Sequence, residues 1–321
     1  MAKINMVQAI NMALREEMEK DPAIVIIGED VGKDGGVFRV TEGLFERFGQ
    51  GRVIDTPLSE LGIAGIAIGM AVYGLRPVAE IQFMAFSYLA IDQIFSHASR
   101  IRARSRGRYS CPIVIRMPYG IGIKAPELHS ESTEAIFCHM PGIKVVVPST
   151  PYNAKGLLRS ALRDPDPVIF LEPSRLYRSI KSEVPEEQYS IPLGKANIYQ
   201  QGSEITVIAW GAMLHRAAEA AEDFDVELID LMTLKPFDEE TILDSVKKTG
   251  RLVIVHEASK NCGLGAEIAA FVAEDAIGHL KAPIIRVAGP EAVVPLAKLE
   301  DYYMPTVGRI RKAYETVMRY T

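Results

Sequence analysis

Cysteine is scarce in this chain: three in 321 residues, at positions 111, 138 and 262, with no Cys-x-x-Cys. An odd, dispersed set excludes a disulfide framework and a thiolate zinc site, and suits a reducing compartment. Six histidines are present, no two at metal-ligand spacing, which excludes a histidine-based zinc centre. Positive charge is not in excess: 36 Lys and Arg stand against 41 Asp and Glu, a net charge of −5, and no nucleic-acid partner is expected. The basic run at 100–108 is local, on a helix end. No apolar stretch is long enough to span a bilayer, so no membrane association is expected. The opening Met1-Ala2-Lys3-Ile4-Asn5 has neither a secretory core nor Arg/Ser-rich transit character, and a cytoplasmic protein is the simplest expectation. A processed mitochondrial form would read the same way. Phosphate loops are missing too, since Gly32-Lys33-Asp34-Gly35-Gly36 fits neither GxxxxGK[ST] nor a strand-closing GxGxxG.

What remains is an ordinary globular composition, 48% hydrophobic and 24% charged, with length for roughly two domains of about 150 residues. Short β-branched runs at 24–28, 52–55, 78–83, 113–117, 144–147 and 168–172 alternate with helical patterns at 7–18, 61–72, 87–104 and 152–163. Such alternation predicts a parallel sheet covered by helices on both faces. The polar stretch 176–201 reads as a linker. A second series follows, with strands at 205–210, 226–231, 252–255 and 284–287 and helices at 212–222, 238–248 and 265–279. The expected architecture is α/β, two doubly wound domains, divided as 1–185 and 186–321. Ligands of open α/β sheets bind beyond the carboxyl ends of strands. In the first domain those ends carry Glu29 and Asp30, Glu60, Gln82, and the segment from Tyr119 to His129.

Glu60 opens a helix that is apolar nearly all round, and such a helix belongs in a core or an interface. Gly62, Gly65 and Gly69 share one face, at about 0.5–1 kcal/mol each relative to Ala, which suggests close approach of another backbone. The acid is either a charge resting on the helix dipole or a group held for chemistry. The helix terminus favours its ionised form and burial its neutral form, and a carboxyl between the two can shuttle a proton. His129 ends the Gly/Pro-rich loop that begins at Pro118; glycines at the loop's root would let it fold over a ligand, and Ser130 would cap the next helix. A lone loop histidine is more often structural or solvated than functional. Phe86, where a strand gives way to a helix, either stacks on a flat ring or is core.

Several segments carry a joint pattern: Gly28-Glu29-Asp30-Val31, Asp55-Thr56-Pro57-Leu58-Ser59-Glu60-Leu61-Gly62, Glu80-Ile81-Gln82-Phe83, His129-Ser130-Glu131-Ser132, Pro141-Gly142-Ile143-Lys144, Asp230-Leu231-Met232-Thr233-Leu234-Lys235-Pro236 and Val255-His256-Glu257. In this order and over almost the full length, the chain resembles the β subunit of the thiamine-diphosphate-dependent 2-oxo acid dehydrogenase decarboxylating component. Pyruvate and branched-chain 2-oxo acid dehydrogenases belong to that family. The resemblance implies a domain that binds the cofactor's aminopyrimidine ring, then a transketolase C-terminal-type domain. It also implies an α subunit in an α2β2 heterotetramer, a lipoyl-bearing acyltransferase core as partner and a small 2-oxo acid as substrate. Glu60 matches the glutamate that exchanges a proton with the pyrimidine nitrogen. His129 matches the histidine that orients intermediates and assists acyl transfer to the lipoyl group. Phe86 matches the aromatic residue on the ring, with Leu58, Gln82 and Glu29 in the same pocket. Relatives also hold a structural potassium ion at positions matching Ile113, Ala161, Leu162, Asp164 and Asp166; an ordinary Asp-Pro-Asp-Pro turn is an equal reading of the last two.

The chain departs from the pattern at Met232, where arginine is usual, and it contains neither Gly-Asp-Gly nor Asn-Asn for magnesium and diphosphate. In the family the α subunit supplies that half, so the cofactor is expected to be shared and its magnesium held mainly by the partner. Rival readings are an acetoin dehydrogenase β subunit, a half-transketolase, or a non-catalytic scaffold subunit. The intact Glu60 and His129 speak against the last.

Overall fold

The computed structural model describes residues 2–320. Seven strands form the first sheet, in the spatial order Thr233–Lys235, Lys144–Val146, Val168–Pro173, Val114–Tyr119, Arg76–Glu80, Ile24–Gly28, Val53–Asp55. All neighbours are parallel except the first pair. The second sheet runs Ile285–Gly289, Leu252–Ser259, Ile205–Ala209, Val226–Asp230, Asn197–Gln200, parallel except for its last strand. This is the expected two-part α/β architecture. Alternate strand residues feed two apolar clusters, Ile26, Val78 and Val114 to one and Ile27, Ala79 and Ile115 to the other, and both clusters continue into the second sheet. Burial on both faces is why these strands read as unbroken apolar runs.

The helix Met6–Lys20 starts on a capping box, Asn5 Oδ1 accepting the Gln8 N–H and Gln8 Oε1 accepting the Asn5 N–H, each at 3.0 Å. It packs on Pro151–Arg163, whose Arg159 and Arg163 hold Glu17. Glu239–Thr249 begins at Asp238 and ends at Gly250 with φ 75°.

The stretch 176–201 is not a plain linker. It contains the strand Lys181–Val184, which pairs antiparallel with Ala2–Asn5, and the strand Asn197–Gln200, which edges the second sheet. Its exposed, polar alternation hid both strands. Thr233–Lys235, from the second half of the chain, completes the first sheet beside Lys144–Val146. Three residues are too few to show a period. The helix expected at 87–104 is instead 3₁₀ at Met84–Ala90, π at Gln93–His97, 3₁₀ at Ala98–Arg100 and α at Ile101–Arg104. Ser130 caps nothing: the helix Glu134–His139 begins after Thr133 with no side-chain cap, and the Ser130 hydroxyl is buried without a partner.

Candidate active site

The first sheet reverses its winding between Ile24–Gly28 and Arg76–Glu80, which lie side by side although a strand and two helices separate them in sequence. Such a reversal opens a crevice at the strands' carboxyl ends. Glu29 and Asp30 follow one of these strands, Gln82 follows the other, and Glu60 lies past the adjoining strand Val53–Asp55. Ser59, in extended conformation, accepts the Gly62 N–H on its hydroxyl at 3.2 Å, so Glu60 becomes the first residue of the helix Glu60–Val72.

Glu60 is buried and its Oε2 has no hydrogen-bond partner; Glu29 is buried with Oε1 in the same condition. Burial first, then the charge of Glu60, then that of Asp30, push the Glu29 carboxyl above the usual range, while the Ser59 backbone N–H pulls it down. These causes place Glu29 against the start of the Glu60 helix. Gln82 donates to Asp30 Oδ2 at 3.2 Å, and Asp30 adopts φ 56°.

His129 joins them through an aromatic cluster. Its ring meets Phe83 edge-on at 4.4 Å and Phe86 at 5.2 Å, and Phe83 also meets Phe38 at 5.6 Å. His129 Nδ1 is buried without a partner. Met84–Ala90 packs against both the Glu60 helix and Glu127–His129. Phe86 is half-buried there, whereas Leu58 is 78% exposed, on the outer side of the crevice. Sequence reasoning missed Asp30 as a partner of Gln82, and Phe38, whose lone position in a loop carried no signal. Beneath the crevice Arg116, fully buried, binds Glu80 and forks onto Glu172 at 2.8 and 2.7 Å. The Tyr177 hydroxyl donates to the same Glu172.

One face of the Glu60 helix is bare. Leu61 and Ile66 are half exposed, Tyr73 is almost wholly exposed, and a side chain added at Gly69 would meet nothing of this chain. Of the glycine face, Gly65 packs against Gln93 of the turn Gln93–His97, while Gly69 is left open. An open cleft of about 870 Å³ along Phe95, Cys138, His139, Phe237 and Cys262 brings together none of the candidate site residues.

Several oxygens of the five residues expected around potassium take part in hydrogen bonds or ion pairs within this chain. Arg76 Nη1 reaches the carbonyls of Leu162 at 3.2 Å and Asp164 at 3.5 Å. Lys144 Nζ lies 2.7 Å from both Asp164 carboxylate oxygens, and Arg102 pairs with Asp166 at 2.6 Å. The carbonyl of Ile113 accepts the Val168 N–H, and that of Ala161 accepts the Asp164 N–H. No group of three or more His, Cys, Asp or Glu able to hold a metal exists among the described residues, and no helix among them is long and apolar enough to cross a membrane.

A buried, unpartnered carboxyl oxygen beside a second carboxyl, with an aromatic wall and an unpartnered imidazole nitrogen, fits a flat nitrogen heterocycle. It does not fit a diphosphate. Residues 2–180 match the family described as transketolase, pyrimidine binding domain, and residues 194–310 match transketolase, C-terminal domain. A split-gene transketolase solved as an inactive β4 tetramer superposes with a TM-score of 0.81 over 100% of both chains at 22% identity, a likeness of fold. These define a two-domain protein of the transketolase type. The pyruvate dehydrogenase E1 component subunit beta of Acholeplasma laidlawii is 51% identical over 97% of this chain and 96% of its own. That of Bacillus subtilis is 49% identical over 95% of both chains, and that of Staphylococcus aureus 49% over 99% of both. The chain belongs to this family, the β subunits of a thiamine-diphosphate-dependent 2-oxo acid dehydrogenase component.

Proposed function

We propose that this chain, with an α subunit in an α2β2 heterotetramer, catalyses oxidative decarboxylation of pyruvate and passes the acyl group to a lipoyl-bearing acyltransferase. The observation that carries this reading is the buried, unpartnered carboxyl oxygen of Glu60 at the winding reversal of the first sheet. Preference for pyruvate over branched-chain 2-oxo acids rests on the relatives, which share about half their residues with this chain and are named for pyruvate. When bound, thiamine diphosphate supplies the carbon nucleophile that attacks the 2-oxo group.

The residues here do the rest. Glu60 holds and moves a proton at the pyrimidine nitrogen. The neighbouring Glu29, its carboxyl raised by burial and by Glu60, lies against the start of the Glu60 helix. Phe86 packs against the ring, while Gln82, fixed by Asp30, lines the pocket. Leu58 stands where the partner subunit would close the pocket. His129, held among Phe83 and Phe86, orients the bound acyl group for transfer to the lipoyl thiol. Magnesium and the diphosphate fall to the α subunit, because no carboxylate cluster among the described residues is built for them.

Co-expression with the α-type subunit and assay against pyruvate and branched-chain 2-oxo acids tests the reading. Pyruvate should be turned over fastest; preference for a branched-chain acid would overturn the substrate. Glu60→Ala should lower decarboxylation with an artificial electron acceptor by about 10²–10⁴-fold while the tetramer still forms. Normal turnover by that variant would remove Glu60 from the chemistry.

A further inference from the structure

The second sheet also reverses its winding, between Ile205–Ala209 and Leu252–Ser259. Open α/β sheets take ligands at such crevices. Here the first domain fills it. The Tyr119 hydroxyl lies against Gly211, where any β-carbon would collide. Glu257, on the Leu252–Ser259 strand and 4% exposed, reaches across and accepts the Ile121 backbone N–H. Gly120 makes the approach possible, with φ 81° and a would-be β-carbon 2.7 Å from Glu257 Oε1.

The carboxyl therefore holds the first end of the segment 120–132, in which His129 lies. Other ties come from the first domain. The Gly120 N–H donates to the Glu131 carbonyl at 3.0 Å, the Ser174 hydroxyl donates to the Gly120 carbonyl at 2.9 Å, and the Tyr88 hydroxyl donates to the Glu131 carboxylate. Burial raises the Glu257 carboxyl to about 7, and either protonation state leaves an oxygen able to accept the Ile121 N–H.

Resting on the reading above, we propose that Glu257 is a positioning residue: it clasps the root of the His129 loop to the second domain and so sets His129 for acyl transfer to the lipoyl group. The second domain thus uses its own ligand crevice as the seat of a loop. Loss of the clasp misplaces His129 without touching Glu60, so the two half-reactions separate.

The test uses the reconstituted complex with Glu257→Ala and Glu257→Gln. Decarboxylation is read with an artificial acceptor, and reductive acylation on a lipoyl domain. E257A should slow acylation on the order of 10–100-fold, as expected when a catalytic group is displaced by about 1 Å, with decarboxylation within about threefold of the parent. E257Q, which keeps an acceptor oxygen, should restore acylation to within about threefold. Equal loss in both half-reactions, no loss in either, or failure of E257Q to rescue would each overturn the proposal. Should E257A not assemble, Glu257→Asp, whose shorter arm withdraws the acceptor, takes its place with the same expectations. A parent complex that does not turn over pyruvate would instead sink the functional reading, and that outcome is seen before any variant is made.

Discussion

An unsatisfied buried polar group costs about 1–3 kcal/mol, and Glu60, Glu29 and His129 each carry one such atom within a single crevice. A fold that tolerates three such costs in one place is holding them for a ligand's donors and acceptors. Arg116 is the opposite case, a buried cation whose carboxylates are both in contact. Its work is to hold the strand ends that carry the site at Glu80 and Glu172. Removing it strands two buried carboxyls, so Arg116→Met should cost about 3–5 kcal/mol in urea unfolding, far more than a surface change. A loss below about 1 kcal/mol would show that those carboxyls simply take up protons.

At the scale of elements, the helix Glu60–Val72 shows most clearly what was legible beforehand. Its apolar circumference and glycine row left a core and an interface both open, and the fold leaves Leu61, Ile66 and Gly69 uncovered. Ile66→Asp should therefore leave the isolated chain's stability within about 0.5 kcal/mol, yet prevent assembly with the α subunit in sedimentation. Normal heterotetramer formation by that variant would move the interface elsewhere. The buried strands were legible because burial on both faces leaves an unbroken β-branched run. Glu29, Glu60 and Gln82 were legible as a group, since a parallel sheet gathers the residues after its strands at one edge. The irregular helix from Met84 to Arg104 was not, because a π turn inserts one residue without changing the apolar content that a period is read from. Nor was the neighbourhood of Phe38 and Phe83 with His129, which depends on loop paths rather than on any period.

For the whole molecule, the seam between the two sheets is rich in carboxyls. Burial raises Glu134, Asp230 and Glu257 each to about 7, against ordinary values of 4.5, 3.8 and 4.5. Each therefore binds its proton more tightly in the folded chain than in the unfolded one. Their stabilising effect is complete below the unfolded values and is lost as pH rises through about 7. The thermal midpoint should fall between about pH 5.5 and pH 8, and Glu134→Gln, neutral throughout, should flatten that fall. A parent and variant with parallel pH profiles would show Glu134 to be ionised in the fold. The seam has a further consequence, through the strand Thr233–Lys235 that finishes the first sheet beside Lys144–Val146. During synthesis the Lys144–Val146 strand stays an uncovered edge of the first sheet until residue 235 has been added, long after the other six strands are made. An open edge is a template for pairing with other chains. A nascent chain halted near residue 190 would thus be the most adhesive form of this protein, and the rate of translation across the next forty-odd residues, roughly 2–9 s at common elongation speeds, sets how long that hazard lasts.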